Sequence, residues 1–117
     1  MLLHCALTTS SIWSPIIAGL SRDYRTYAVD VMGDIGRTVP TNPPETYPEF
    51  GQWLVEVYRE LGIESARVLG WSFGGFVATN FAVHEPQRVE KLAAGALSYL
   101  CQTRSGFSAR ISSVCLP

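Results

Sequence analysis

Only two histidines occur among the 117 residues, His4 and His84, so any reaction needing an imidazole base has few candidates. Charge is sparse as well. Acidic and basic residues make up 16% of the chain, the net charge is −1, and no run of like charges occurs. A surface of that kind has nothing to hold a polyanion, so neither a nucleic-acid nor an anionic-membrane partner is expected. No apolar run approaches the ~20 residues of a membrane-spanning helix. The opening Met1-Leu2-Leu3-His4-Cys5-Ala6 lacks the basic flank and long apolar centre of a signal peptide. Three cysteines (Cys5, Cys101 and Cys115) are odd in number and lack metal-ligand spacing. Free thiols in a reducing compartment follow, and a cytoplasmic protein is the expectation.

Hydrophobic residues make up 47% of the sequence, enough for one domain with a modest core. Their spacing alternates between two periods. Residues 1–4 form a short apolar run, read as a strand that starts with no turn before it. Trp13, Ile16, Ile17 and Leu20 then recur at i, i+3, i+4, i+7, one apolar face of a helix. Pro15 is tolerated there because it falls in the first turn. Residues 24–31 read as a second strand, ending near Asp30. From 33 to 44 the chain holds two glycines, three prolines and no periodicity, which is loop. Thr46 and Glu49 are spaced as a capping box for a helix whose buried stripe is Phe50, Trp53, Leu54, Val57 and Leu61, with Gly62 as its stop.

The most informative stretch follows. Residues 66–69 read as a strand running into Gly70-Trp71-Ser72-Phe73-Gly74-Gly75, and residues 73–84 as the helix after it. Gly-x-Ser-x-Gly between a strand and a helix is the signature of a sharp turn that holds a serine clear of both. Gly70 and Gly74 stand where a side chain would collide with neighbouring backbone as the chain reverses. Residues 89–97 read as a last strand. Strand and helix alternate throughout, which is the pattern of an α/β domain with a parallel sheet and right-handed crossovers covering both faces. Residues 100–117 differ in character, with four serines, two arginines, no acidic residue and no apolar period among 101–117. They are expected to lie outside the domain of residues 1–99, as a disordered or frameshifted tail.

Taken in order, these motifs resemble the α/β-hydrolase superfamily, with its carboxylesterase and non-haem peroxidase-like members nearest. Leu2-Leu3-His4-Cys5-Ala6-Leu7 is similar to the family's apolar strand followed by His-Gly-x. Asp30-Val31-Met32-Gly33 looks like its Asp-x-x-Gly loop, and Glu85-Pro86-Gln87-Arg88-Val89 like its Pro-x-Arg-Val lead into the next strand. The resemblance covers residues 2–98, less than half of a typical family domain. It implies a partial fold of about four parallel strands, the family's third to sixth, side by side in the order 4-3-5-6.

The same resemblance implies a serine hydrolase of carboxylic-ester type. Ser72 would be its nucleophile, and the backbone N–H groups of Phe73 and Ala6 its oxyanion hole. It implies no cofactor and no metal, and a small ester-like substrate. Two departures accompany it. Cys5 replaces the usual glycine beside Ala6, which would strain the loop if that position requires a positive φ. The family's acid and histidine follow the serine beyond further strands, outside the matching stretch. Among this chain's own histidines, His84 lies 12 residues past Ser72 on the same helix, roughly 18 Å away, far beyond the ~3 Å of a proton transfer. His4 reads as a brace for its loop, and Asp30 as a loop-bracing or solvated carboxylate. The same elbow also serves acyl transfer, perhydrolysis and C–C cleavage. A catalytically inactive remnant, acting as a binding module or associating through open sheet edges, is the reading from a different class.

Overall fold

The computed structural model describes residues 1–37, 41, 42 and 44–95, the side chain of Tyr47 excepted. The expected tail at 100–117, with Cys101 and Cys115, lies outside the described residues, as does part of the loop at 33–44. Strand β1 is Leu2–Leu3, and a 3₁₀ turn at Ser10–Trp13 leads into helix α1, Ser14–Leu20. Strand β2 is Ala28–Val29, helix α2 Tyr47–Glu60, strand β3 Ala66–Trp71, helix α3 Phe73–His84 and strand β4 Val89–Gly95. All pairings are parallel, and the order across the sheet is β2-β1-β3-β4. That is the order the resemblance implied.

Helix α2 is held at both ends by the groups its sequence promised. Glu49 Oε2 accepts from the Thr46 N–H at 3.0 Å and from the Glu45 N–H at 2.6 Å. These two charge-assisted bonds hold the Glu49 carboxyl below its ordinary range, the Glu45 contact contributing most. At the other end Ile63 N–H reaches the Tyr58 carbonyl and Gly62 N–H the Arg59 carbonyl, a Schellman turn. The buried stripe is Trp53, Leu54 and Tyr58, with Phe50 and Val57 half-buried. Leu61 is 37% exposed instead, because the Schellman turn swings the chain away from the core after Tyr58. Tyr58 takes that place, its ring 5.2 Å from Phe81 of α3.

One face of the sheet is thereby closed. Leu3, Val68 and Val31 meet Leu54, Tyr58, Val77, Ala78 and Phe81 in a single core. Each such side chain, fully buried, contributes about 1.5–3 kcal/mol. The opposite face is less covered. Trp13 is buried, but α1 itself contributes no buried residue and Ile16 is 44% exposed, so the apolar stripe read from the sequence is only partly packed. Strand β2 is also shorter than the expected 24–31. Among the described residues it pairs only with β1, whose two residues Leu2 and Leu3 meet Ala28 and Val29, and a ladder cannot outrun its partner. Tyr24 instead closes α1, its N–H donating to the Leu20 carbonyl, and its ring lies 4.8 Å from the Arg67 guanidinium.

Candidate active site

Strand β3 delivers the chain to Ser72, and the turn there is tight enough to force an uncommon backbone. Ser72 has φ +51° and ψ −114°. A non-glycine residue in such a conformation stores ~1–3 kcal/mol and persists only where its surroundings fix it. Two bonds fix it here. The Ser72 N–H donates to the Gly95 carbonyl at 2.9 Å, and the Ser72 carbonyl accepts from the Phe76 N–H at 3.0 Å.

Close approach of backbone to backbone explains the flanking glycines. A Cβ on Gly70 would lie 2.5 Å from the Gly74 carbonyl carbon. A Cβ on Gly74 would lie 2.5 Å from the His4 carbonyl oxygen and inside contact distance of the Leu3 carbonyl oxygen. The first turn of α3 is thus seated directly on the end of β1.

Ser72 is the N-cap of α3, yet its side chain makes no capping bond. A serine at this position ordinarily takes a first-turn N–H, which needs an extended backbone. The left-handed φ turns the hydroxyl away, and its Oγ has no partner among the described residues. The first-turn N–H groups of α3 have no intrahelical acceptor, and the helix dipole makes that end favourable for negative charge. The Phe73 ring anchors the turn, edge-on to Phe50 of α2 with centroids 5.4 Å apart and stacked on Phe76 at 6.5 Å.

Register places Ala6 at the same end of the sheet. Leu3 pairs with Gly70, and Ala6 and Phe73 each lie three residues beyond that pair. Among the described residues neither the Ala6 N–H nor the Phe73 N–H donates to a protein acceptor. The first turn of α3 thus lies against the end of β1, from which the loop holding Ala6 departs.

The two histidines are placed elsewhere in role. His4 is fully buried, and its Nε2 accepts from the Val31 N–H at 2.8 Å. A backbone N–H can only donate, so the ring proton sits on Nδ1, which donates to the Cys5 carbonyl at 2.9 Å. His4 is a brace between the loops after β1 and β2. His84 is exposed and ends α3, about 17 Å along the axis from Phe73. Asp30 also braces. It accepts from the Ser10 N–H at 2.7 Å and the Arg37 N–H at 3.1 Å, and these bonds, Ser10 first, pull its carboxyl from 3.8 to about 2.

The positive φ that would have strained Cys5 falls instead two residues further on. Leu7 has φ +60°, and among the described residues Leu7 and Ser72 are the two non-glycine residues with positive φ. Leu7 is held there by Asp34, whose two carboxylate oxygens each lie 3.0 Å from the Leu7 N–H. Asp34 carried no signal of this in the sequence, where it reads as a turn residue 27 positions away. Two cavities lie apart from Ser72. One of about 1080 Å³ opens on the less covered sheet face and is lined by Leu2, Tyr24, Arg67, Leu69 and Lys91 among others. The second, of about 470 Å³, lies against Ser10, Ser14, Asp30 and Arg37.

Comparison with known proteins decides the family. A sequence profile of the alpha/beta hydrolase fold matches residues 1–97. The chain belongs to the α/β-hydrolase family. The uncharacterized carboxylesterase nap of Bacillus subtilis is 43% identical over 93 residues, 80% of this chain and 31% of that protein. Carboxylesterase YbfK of the same organism is 42% identical over 91 residues, 78% of this chain and 31% of that one. The crystal structure of naproxen esterase (carboxylesterase NP) from Bacillus subtilis superposes with a TM-score of 0.77 at 43% identity, covering 79% of this chain and 32% of that one. This α/β hydrolase thus spans about a third of the length of the curated relatives it matches. Among the described residues no helix is long and apolar enough to cross a membrane.

Proposed function

We propose that the chain carries the nucleophile and oxyanion-hole portion of a serine hydrolase acting on small carboxylic esters. Ser72 is the nucleophile in this reading, and the Phe73 and Ala6 N–H groups are the donors of the hole. The observation that carries it is the Ser72 backbone, which presents an uncapped hydroxyl at the N-terminus of α3. Ser72 Oγ attacks the ester carbonyl carbon and loses its proton to a base. The carbonyl oxygen becomes an oxyanion between the two N–H groups, and the alkoxide leaves to give an acyl-serine. Each donor lowers the barrier by about 3 kcal/mol. The esterase relatives favour ester substrates over the other reactions this elbow supports. The reading also requires a base that neither His4 nor His84 supplies. In serine proteases stripped of their triad, the hole and binding alone leave roughly 10³–10⁴ over water. Incubation with a p-nitrophenyl ester should give slow, stoichiometric acylation of Ser72 that Ser72→Ala abolishes. Failure of the wild-type chain to acylate would overturn the proposal for these 117 residues.

The engagement of His4 and the remoteness of His84 favour a second reading, a non-catalytic member acting through its surface. In the described sheet β2 and β4 are the outer strands, and unpaired edges invite association. Sedimentation velocity should then show concentration-dependent self-association, whereas a monomer at all concentrations would count against this reading. A cytoplasmic location belongs to both readings.

A further inference from the structure

Resting on the oxyanion-hole role proposed for Ala6, we propose that Thr8 is a positioning residue that aims the Ala6 N–H by holding the Cys5 carbonyl. The Cys5 carbonyl oxygen accepts the Thr8 hydroxyl proton at 2.6 Å and the His4 Nδ1 proton at 2.9 Å. That oxygen and the Ala6 N–H belong to one peptide unit, which is planar and trans. In such a unit the N–H points opposite to the C=O, so whatever fixes the direction of one fixes the other. His4 is fully buried, so the carbonyl is drawn inward and the Ala6 N–H is turned outward, where it has no acceptor among the described residues.

The next peptide unit is pinned from its other side, by the Leu7 N–H in the Asp34 carboxylate. Asp34 is itself fixed by the Ile35 N–H at 2.7 Å. Ala6 therefore sits between two clamped planes, with φ +60° at Leu7 taking up the sharp bend. Of the groups holding the first plane, His4 is also tied to Val31, whereas Thr8 supplies the shortest bond. The Cys5 thiol lies 3.5 Å from Thr8 Oγ1, whose own proton is given to the carbonyl, so the thiol is the donor in that contact. Cysteine at this position thus adds a weak support to the threonine that aims the hole.

The test compares wild type, Thr8→Val and Thr8→Ser. Two quantities are read: the residual dipolar coupling of the Ala6 N–H, and the rate of Ser72 phosphonylation by a fluorophosphonate. Thr8→Val keeps the side-chain shape and loses the hydroxyl. It should change the Ala6 coupling while couplings in α2 and β3 stay as in wild type. It should also lower the maximal phosphonylation rate about tenfold at unchanged half-saturating probe, less than the 10²–10³ of losing a donor outright. Thr8→Ser should restore both. A Thr8→Val chain with wild-type coupling and rate would overturn the positioning role and leave Ser72 as nucleophile. A wild-type chain that is not phosphonylated would instead overturn the Ser72 reading, and the role of Thr8 in the hole with it.

Discussion

Ser72 occupies its conformation because neighbours on both sides leave the chain no alternative. Its N–H is taken by β4 and its carbonyl by α3, while Gly70 and Gly74 allow backbone to touch backbone. The sequence announced this part clearly, since a glycine two residues before and two after a serine is a local, steric requirement. Replacing Gly74 tests it. The added methyl meets the carbonyl oxygens of Leu3 and His4, which cannot move aside as a flexible side chain would. Gly74→Ala should destabilise the chain by ~3 kcal/mol or more, the upper end for overpacking, read as a lower urea midpoint. A midpoint within error of wild type would mean that α3 is not seated on β1. Other residues were not legible in this way. Asp34 and Thr8 shape the loop after β1 through contacts whose geometry depends on the folded loop, so side-chain identity alone did not reveal them.

At the scale of elements, local signals predicted existence and type well and extent poorly. Helix α2 was readable because its capping box and its stop are encoded within a few residues of its ends. Strand β2 was not, since its length is set by β1, a partner distant in sequence and only two residues long. Helix α1 shows the same dependence on context: its period is helical, but its apolar stripe meets an incompletely covered sheet face. The loops between elements depend on Asp30, which ties the start of the 3₁₀ turn to Arg37. Its folded-state pKa of about 2 lies below the ordinary 3.8, so the ionised form stabilises the fold. That contribution is fully present above about 3.8 and is lost as pH falls through about 2. Urea midpoints measured from pH 5 to pH 2 should decline less steeply in Asp30→Asn than in wild type. Equal slopes would show that these backbone bonds do not distinguish the folded from the unfolded carboxylate.

For the molecule as a whole, the two faces of the described sheet are unequally covered. The face under α2 and α3 is closed, whereas Leu69, Arg67 and Lys91 border an open cavity and Trp71 is 45% exposed. The family and the position of the elbow followed from short motifs in a fixed order, and the sheet order from the family those motifs resemble. Among the described serines, Ser72 is set apart by a strained backbone that leaves its hydroxyl uncapped at the start of α3. Peptide mapping by mass spectrometry after fluorophosphonate treatment shows whether that hydroxyl is also the reactive one. A single adduct on Ser72 is expected, with Ser10, Ser11, Ser14, Ser21 and Ser65 unmodified. An unmodified Ser72, or adducts spread evenly over those serines, would contradict it.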